Sequence, residues 1–326
     1  MYADALKDDL KKTGSKGNTL YKLLSDESEA KGKRTFWQEN IEENDLIIIT
    51  DIFHQFELFH KIYKTIHPKK RSSICIVDGY DITSLFPFYN NSYNLKIRPW
   101  IYFYPVSKVI YFKREYENTA ELYGISKQHF PFCNKLFSKV LKKPAKIFPI
   151  SMSIPEQLIE EIPLQNKTQE FVDYNVDPDL TGLFSKNHLA ELGKWQPAFQ
   201  NEEEYYADVK RSKFGITTKR EGWDCLRHYE YAAKGAILCF KHLDKKNSLC
   251  APLGLNETNC ISYSDKNDLL NKINRISFLQ LETVQQAQYE WIRNYTTKKV
   301  ASRFLDQLTC NNKIFSISGS NVRVTA

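Results

Sequence analysis

Residues 211–240 read RSKFGITTKREGWDCLRHYEYAAKGAILCF. Phe214 to Thr217 is a short apolar run with a β-branched end, and Ala236 to Phe240 is a second. Between them, Lys219 to Gly222 is polar and ends on glycine, Asp224 is placed to cap or charge-complement a helix start, and Gly235 is placed to end that helix. The pattern predicts strand, tight loop, short helix and strand, one βαβ unit. Leu226, Tyr229, Ala232, Ala233 and Ala236 fall at helical spacing and are expected to face inward. Arg227 and Glu230, three apart, take the other face, either as a surface ion pair or as a binding site for a charged, hydroxyl-rich ligand.

Working outward, strands and helices alternate on both sides of this unit. Leu46–Thr50 (LIIIT), Ser73–Val77 (SICIV), Lys108–Phe112 (KVIYF) and Lys146–Ile150 (KIFPI) read as buried strands. Helical faces fall at Phe53–Ile66, through Phe56, Phe59, His60 and Tyr63, and at Tyr116–Tyr123 ahead of Gly124. Residues 151–168 carry Pro155 and Pro163 among charges and read as a linker. A second series then runs from Glu170–Val176 through a helix at Glu202–Lys210 and the 211–240 unit to a strand at Cys260–Tyr263. Ser264 is placed to cap a helix over Lys266–Ile273. Val300, Phe304 and Leu308 form an i, i+4, i+8 stripe on a closing helix near Thr297–Leu308. The expected fold is α/β, two Rossmann-like domains facing a cleft: residues 1–160, residues 161–308 and a tail at 309–326. Residues 1–44 carry no strong element, and the first clear strand begins at Leu46. The expectation is an N-terminal domain that is abbreviated or has lost its opening strand.

The order Gly222, Asp224, Arg227, Glu230, Ala232 or Ala233, Gly235 before an apolar strand resembles the donor-binding signature of GT-B glycosyltransferases. The likeness is to the spore-maturation-type group with a family 1 C-terminal domain, and it extends to QYEWIRNYTTKKVASRFLDQL at 288–308. It covers about residues 169–308 by motif and the N-terminal half by architecture alone. Retaining relatives carry two glutamates with seven residues between them; here eight separate Glu221 from Glu230, and Glu230 is the safer match. The resemblance implies transfer of a sugar from a nucleotide diphosphate donor to a glycan, lipid-linked or other hydroxyl acceptor, in surface polysaccharide synthesis. It implies no cofactor and no fixed metal, the sugar nucleotide being a substrate.

That chemistry has two needs: stabilising the diphosphate leaving group and deprotonating the acceptor hydroxyl. The loop Thr218, Lys219, Arg220, Gly222, Asp224 feeds a helix whose amides would point at phosphate, with Lys219, Arg220 or Arg227 supplying positive charge. The resemblance gives Glu230 the ribose hydroxyls. For the base, Asp51 and His54 follow LIIIT, and Asp78 and Asp81 follow SICIV in VDGYD. Strand ends face the crevice of such folds, and the preferred pair is Asp78 and His54, each otherwise a turn or cap residue. Lys113-Arg114-Glu115 follows KVIYF, either as crevice residues or as a solvated helix start. Asp177-Pro178-Asp179 spells the D-x-D of metal-dependent GT-A enzymes and gives one alternative. A catalytically silent sugar- or nucleotide-binding relative is another.

Composition narrows the rest. The chain has 326 residues, long enough for two cored domains, with 42% hydrophobic and 26% charged residues. Aromatics reach 13%, filling cores or forming platforms for sugar rings. Net charge is +7, spread over Lys11-Lys12, Lys31 to Arg34, Lys69 to Arg71, Lys142-Lys143, Lys245-Lys246 and Lys298-Lys299. Solvated faces account for these clusters by default; peripheral membrane contact or a phosphorylated donor is the functional reading. No recognition motif points to nucleic acid. Seven cysteines without a CxxC pair, with no signal peptide and no apolar stretch near 18 residues, predict reduced thiols in a cytoplasmic protein. HExxH, Walker and GxGxxG motifs are missing, which removes support for zinc proteases, P-loop NTPases and simple dinucleotide enzymes.

Overall fold

In the computed structural model, the described residues are 46–50, 52, 56–86, 106–118, 120, 143–180, 182–184 and 199–311. They form two separate four-stranded parallel sheets. The first orders β1 (Ile47–Ile49), β2 (Ile74–Asp78), β3 (Ile110–Lys113) and β4 (Lys146–Pro149) in chain sequence. The second orders β5 (Gln169–Phe171), β6 (Ser212–Thr218), β7 (Ile237–Lys241) and β8 (Ile261–Tyr263) likewise. Two Rossmann-like α/β units are therefore present, as the alternating series predicts.

Each sheet is covered on both faces, which is why its strands read as unbroken apolar runs. In the first, Ile74 and Ile76 of β2 pack with Phe59 and Tyr63 of helix α1 (Phe56–Thr65), while Cys75 faces the opposite cluster. In the second, Leu238 and Phe240 of β7 face one cluster, whereas Ile237 and Cys239 face the other. The first of these clusters draws on α2 (Glu202–Arg211), α3 (Leu226–Ala233) and α5 (Phe278–Arg293). The second includes Leu269 of α4 (Lys266–Arg275).

The closing helix α6 (Thr297–Asn311) crosses back. Its predicted stripe lands on the first sheet: Phe304 lies 4.5 Å, centroid to centroid, from Phe112, and Leu308 packs with Cys75 and Ile110. The sequence reading grouped this helix with the second domain; its apolar face is spent on the first. The two passages between units run side by side, Ile154 N–H donating to Tyr295 O at 3.1 Å and Thr297 N–H to Ile154 O at 2.9 Å.

Several local expectations need correction. Asp265, not Ser264, caps α4, accepting from the Asn267 and Asp268 amides. Residues 116–118 are not helical; the Ala120 N–H closes a turn on Glu117 O, and the rest of the predicted 116–123 helix lies outside the described residues. Residues 1–44, Asp51, His54 and residues 312–326 of the tail also lie outside them. Helix α3 is buried nearly all round, because His228 and Tyr231 join Tyr229, Ala232 and Ala233 inside.

The linker carries one costly burial. Lys167 is 5% exposed and donates to Lys234 O at 2.5 Å, and among the described residues no carboxylate pairs with it. Burial pushes its ammonium down to about 7 from 10.5. Because the folded value lies below the unfolded one, the penalty is in force below pH 7 and lifts as pH rises toward 10.5. Wild-type stability should therefore gain roughly 4 kcal/mol over that range relative to Lys167→Met. Urea unfolding of both proteins at pH 7 and pH 10 checks this, and equal pH slopes would contradict it.

Candidate functional site

The carboxyl ends of β2 and β3 in the first unit meet the loop after β6 in the second. In α/β sheets this edge is where ligands bind. The join is made by Arg114 and Glu115, the two residues after β3. Arg114 Nε donates to Gly79 O at 2.9 Å, one terminal nitrogen donates to Asp224 O at 2.6 Å, and the other pairs with Asp81. One Glu115 carboxylate oxygen accepts from the Trp223 amide at 2.9 Å and the Asp224 amide at 3.1 Å; the other accepts from the Cys250 thiol at 3.0 Å. Both residues are buried, so the reading of 113–115 as a solvated helix start does not hold. Gly222 fits because it lacks a Cβ: one built there would run into Asp81 Oδ1 and Glu115 Oε1.

Asp224 is an anchor. Its side chain caps no helix, since Cys225 occupies the N-cap position of α3. Its oxygens accept from the Met152 amide at 3.0 Å and the Tyr229 hydroxyl at 2.9 Å. Burial raises its carboxyl to about 6, against the pull of His228, the Met152 amide, Arg114 and Tyr229. With 3% of its surface exposed, Asp224 shapes the loop and is not presented to a ligand. Behind it, His228 places Nε2 2.7 Å from Thr217 Oγ1 and 3.4 Å from Cys225 Sγ. Burial lowers this imidazole to about 3, so it is neutral near pH 7.

The remaining residues of the loop and of the start of α3 are less buried. Thr218 is half-buried, while Lys219 and Arg220 are exposed. Lys219 Nζ sits 5.2 Å from the centre of the Trp223 ring, which backs the loop. Arg227 and Glu230 are half-buried and do not pair with each other. The Arg227 guanidinium lies 4.8 Å over the ring of Tyr174, which follows β5. Glu230 accepts from the Tyr205 hydroxyl at 2.8 Å and the Tyr206 hydroxyl at 3.3 Å. Burial raises the Glu230 carboxyl, and the two tyrosines and Arg227 pull it back. Helix α2 runs directly into β6, so the end bearing Tyr205 and Tyr206 lies toward the carboxyl edge. Arg227, the half-buried Glu230 carboxylate and three tyrosines thus gather along α3, and Lys219 and Arg220 are exposed on the loop that leads into it. Such a surface suits a phosphorylated, hydroxyl-rich ligand. Glu221 is exposed and takes no part in this cluster.

The proposed base fares differently. Asp78 ends β2 with no exposed surface. It is ion-paired with Lys113 at 2.9 Å, accepts from the Tyr80 amide at 3.0 Å and takes a short bond from the Tyr111 hydroxyl. Burial lowers the Lys113 ammonium, opposed chiefly by Asp78. This buried carboxylate is fully paired, holds the 79–81 turn and offers no exposed surface to an acceptor hydroxyl. Asp81, 36% exposed at its side chain, is the carboxylate of that run at the surface.

Asp177 and Asp179 are drawn together by Lys241, at 2.8 and 2.5 Å, and Tyr263 donates to Asp177 at 2.9 Å. The Lys241 ammonium thus bridges the two carboxylates. Among the described residues no group of three or more His, Cys, Asp or Glu is placed to hold a metal. No described helix is long and apolar enough to cross a membrane. Cys75, Cys225, Cys239, Cys250 and Cys260 are free thiols.

No family model and no curated protein matches the chain. Among solved structures it is similar to a glycosyltransferase from Rickettsia africae ESF-5, at 11% identity and a TM-score of 0.42 over 82% of each chain. It is also similar to a chain of the GtfA/B complex, at 13% identity and a TM-score of 0.45. That match covers 85% of this chain and 59% of the other, so this chain spans little more than half of that relative's length.

Proposed function

We propose that this chain is a GT-B-type glycosyltransferase that takes its sugar from a nucleotide diphosphate donor. The observation that carries the reading is the cluster of Arg227, Glu230, Tyr174, Tyr205 and Tyr206 along α3, with Lys219 and Arg220 exposed on the loop that leads into it. In this reading the helix end and the basic side chains stabilise the leaving diphosphate. Glu230 accepts from the ribose hydroxyls, as its match in the resembling family does. Residues 161–308 supply the donor side and residues 1–160 the acceptor side, for a glycan or lipid-linked hydroxyl. The burial of Asp78 favours one competing reading, a nucleotide-sugar-binding protein without transfer, because that carboxylate is paired with Lys113 and has no exposed surface.

A panel of nucleotide sugars assayed for release of nucleoside diphosphate tests the proposal. Release with at least one donor is expected, and it should persist in EDTA because Asp177 and Asp179 are already bridged by the Lys241 ammonium. Binding without release would favour the silent reading. Loss of release in EDTA, restored by Mn²⁺, would favour a metal enzyme.

A further inference from the structure

We infer that Arg114 and Glu115 are positioning residues: they belong to the first unit yet set the conformation of the loop that receives the donor in the second. The inference rests on the donor reading above. Two consecutive amides, Trp223 and Asp224, converge on one Glu115 oxygen, an arrangement in which successive backbone N–H groups make an anion-binding concavity. A carboxylate from the chain itself fills it. The diphosphate is thereby directed past this point, to the start of α3 and the exposed Lys219 and Arg220. Arg114 closes the other side, gripping Asp224 O while its remaining donors hold Gly79 O and Asp81.

The grip reaches further. Ala251 N–H donates to Arg114 O at 3.0 Å, and Cys250 donates to Glu115, so the 250–251 turn is tied to the same dipeptide. Arg114 and Glu115 thus bind three segments of chain: 79–81, 222–224 and 250–251. Their side-chain bonds are charge-assisted, and those to Trp223, Asp224 and Cys250 are buried, the conditions under which such bonds are strongest. Loop placement within a fraction of an ångström governs how well donors reach a phosphate. A change at either residue should therefore be felt at a ligand that neither one touches.

The test compares wild type with Glu115→Ala and Glu115→Gln, using hydrogen exchange and calorimetric titration of nucleoside diphosphates. Glutamine keeps an oxygen for the two amides; alanine keeps nothing. In Glu115→Ala, without nucleotide, the peptide spanning 218–226 should exchange faster, and the folded protein should bind at least tenfold more weakly. Glu115→Gln should restore most of both. A purely structural role would lower the melting temperature and leave the affinity of the folded fraction unchanged, which would overturn the inference, as would unchanged exchange. Should the wild type bind no nucleoside diphosphate, the donor reading falls and this inference with it. That outcome shows in the wild-type titration alone and so is distinct from a failure of the positioning role.

Discussion

Replacing Lys113 with methionine should lower the free energy of unfolding by about 3–5 kcal/mol, the cost of leaving a buried charge without its partner. Asp78 and Lys113 both have fully buried side chains, 2.9 Å apart. Methionine fills much of the volume of the lysine stem, so the loss comes mainly from the stranded carboxylate and little from a cavity. Adding Asp78→Asn to Lys113→Met should recover more than half of the loss, because the neutral amide removes the stranded charge and its oxygen can still accept from the Tyr80 amide. Urea unfolding of the two variants measures it. A loss under about 1 kcal/mol for Lys113→Met would mean that Asp78 is solvated after all, and would return it to the candidates for catalytic base.

The second large effect is on binding. Glu230→Ala should weaken nucleoside diphosphate affinity roughly tenfold to a hundredfold, the worth of a charge-assisted hydrogen bond of about 1.5–3 kcal/mol. Glu230→Gln should lose less, since its amide oxygen still accepts. The fold should tolerate both changes. Glu230, Tyr205 and Tyr206 are all half-buried, so none of the three is a core residue. The tyrosine bonds hold the carboxylate in place and leave it lone pairs for a ligand. Titration of both variants checks the ordering; unchanged affinity in Glu230→Ala with a normal melting temperature would make Glu230 a partner of the tyrosines and nothing more.

Much of the fold was legible because its signals are local. LIIIT, SICIV and the two apolar runs of 211–240 are strands buried on both faces, and Gly235 does end α3, at φ +69°. Helix α5 went unread between 278 and 293: Gln285 and Gln288 are buried on its inner face while Phe278 and Leu279 are exposed, which blurs the apolar period. The sequence still carried its start, since Ser277 and Gln280 form a capping box. The site was half legible. The loop and Arg227 and Glu230 share one short stretch of chain, whereas Tyr174, Tyr205 and Tyr206 reach them only through the fold. Least legible were the buried charges. Glu115 finds its partners 108 and 109 residues away, and Arg114 finds one 110 residues away. In sequence such residues resemble any charged turn, and Asp78 at a strand end resembles a catalytic carboxylate until Lys113 is seen beside it.

The most direct measurement of the central claim is a crystal structure grown with a nucleoside diphosphate. The diphosphate should lie at the start of α3, within reach of Lys219, Arg220 or Arg227, with a ribose hydroxyl donating to Glu230. Nucleotide bound anywhere else, for example in the groove of about 550 Å³ lined by Lys272, Arg275 and Gln280 between α4 and α5, would contradict it.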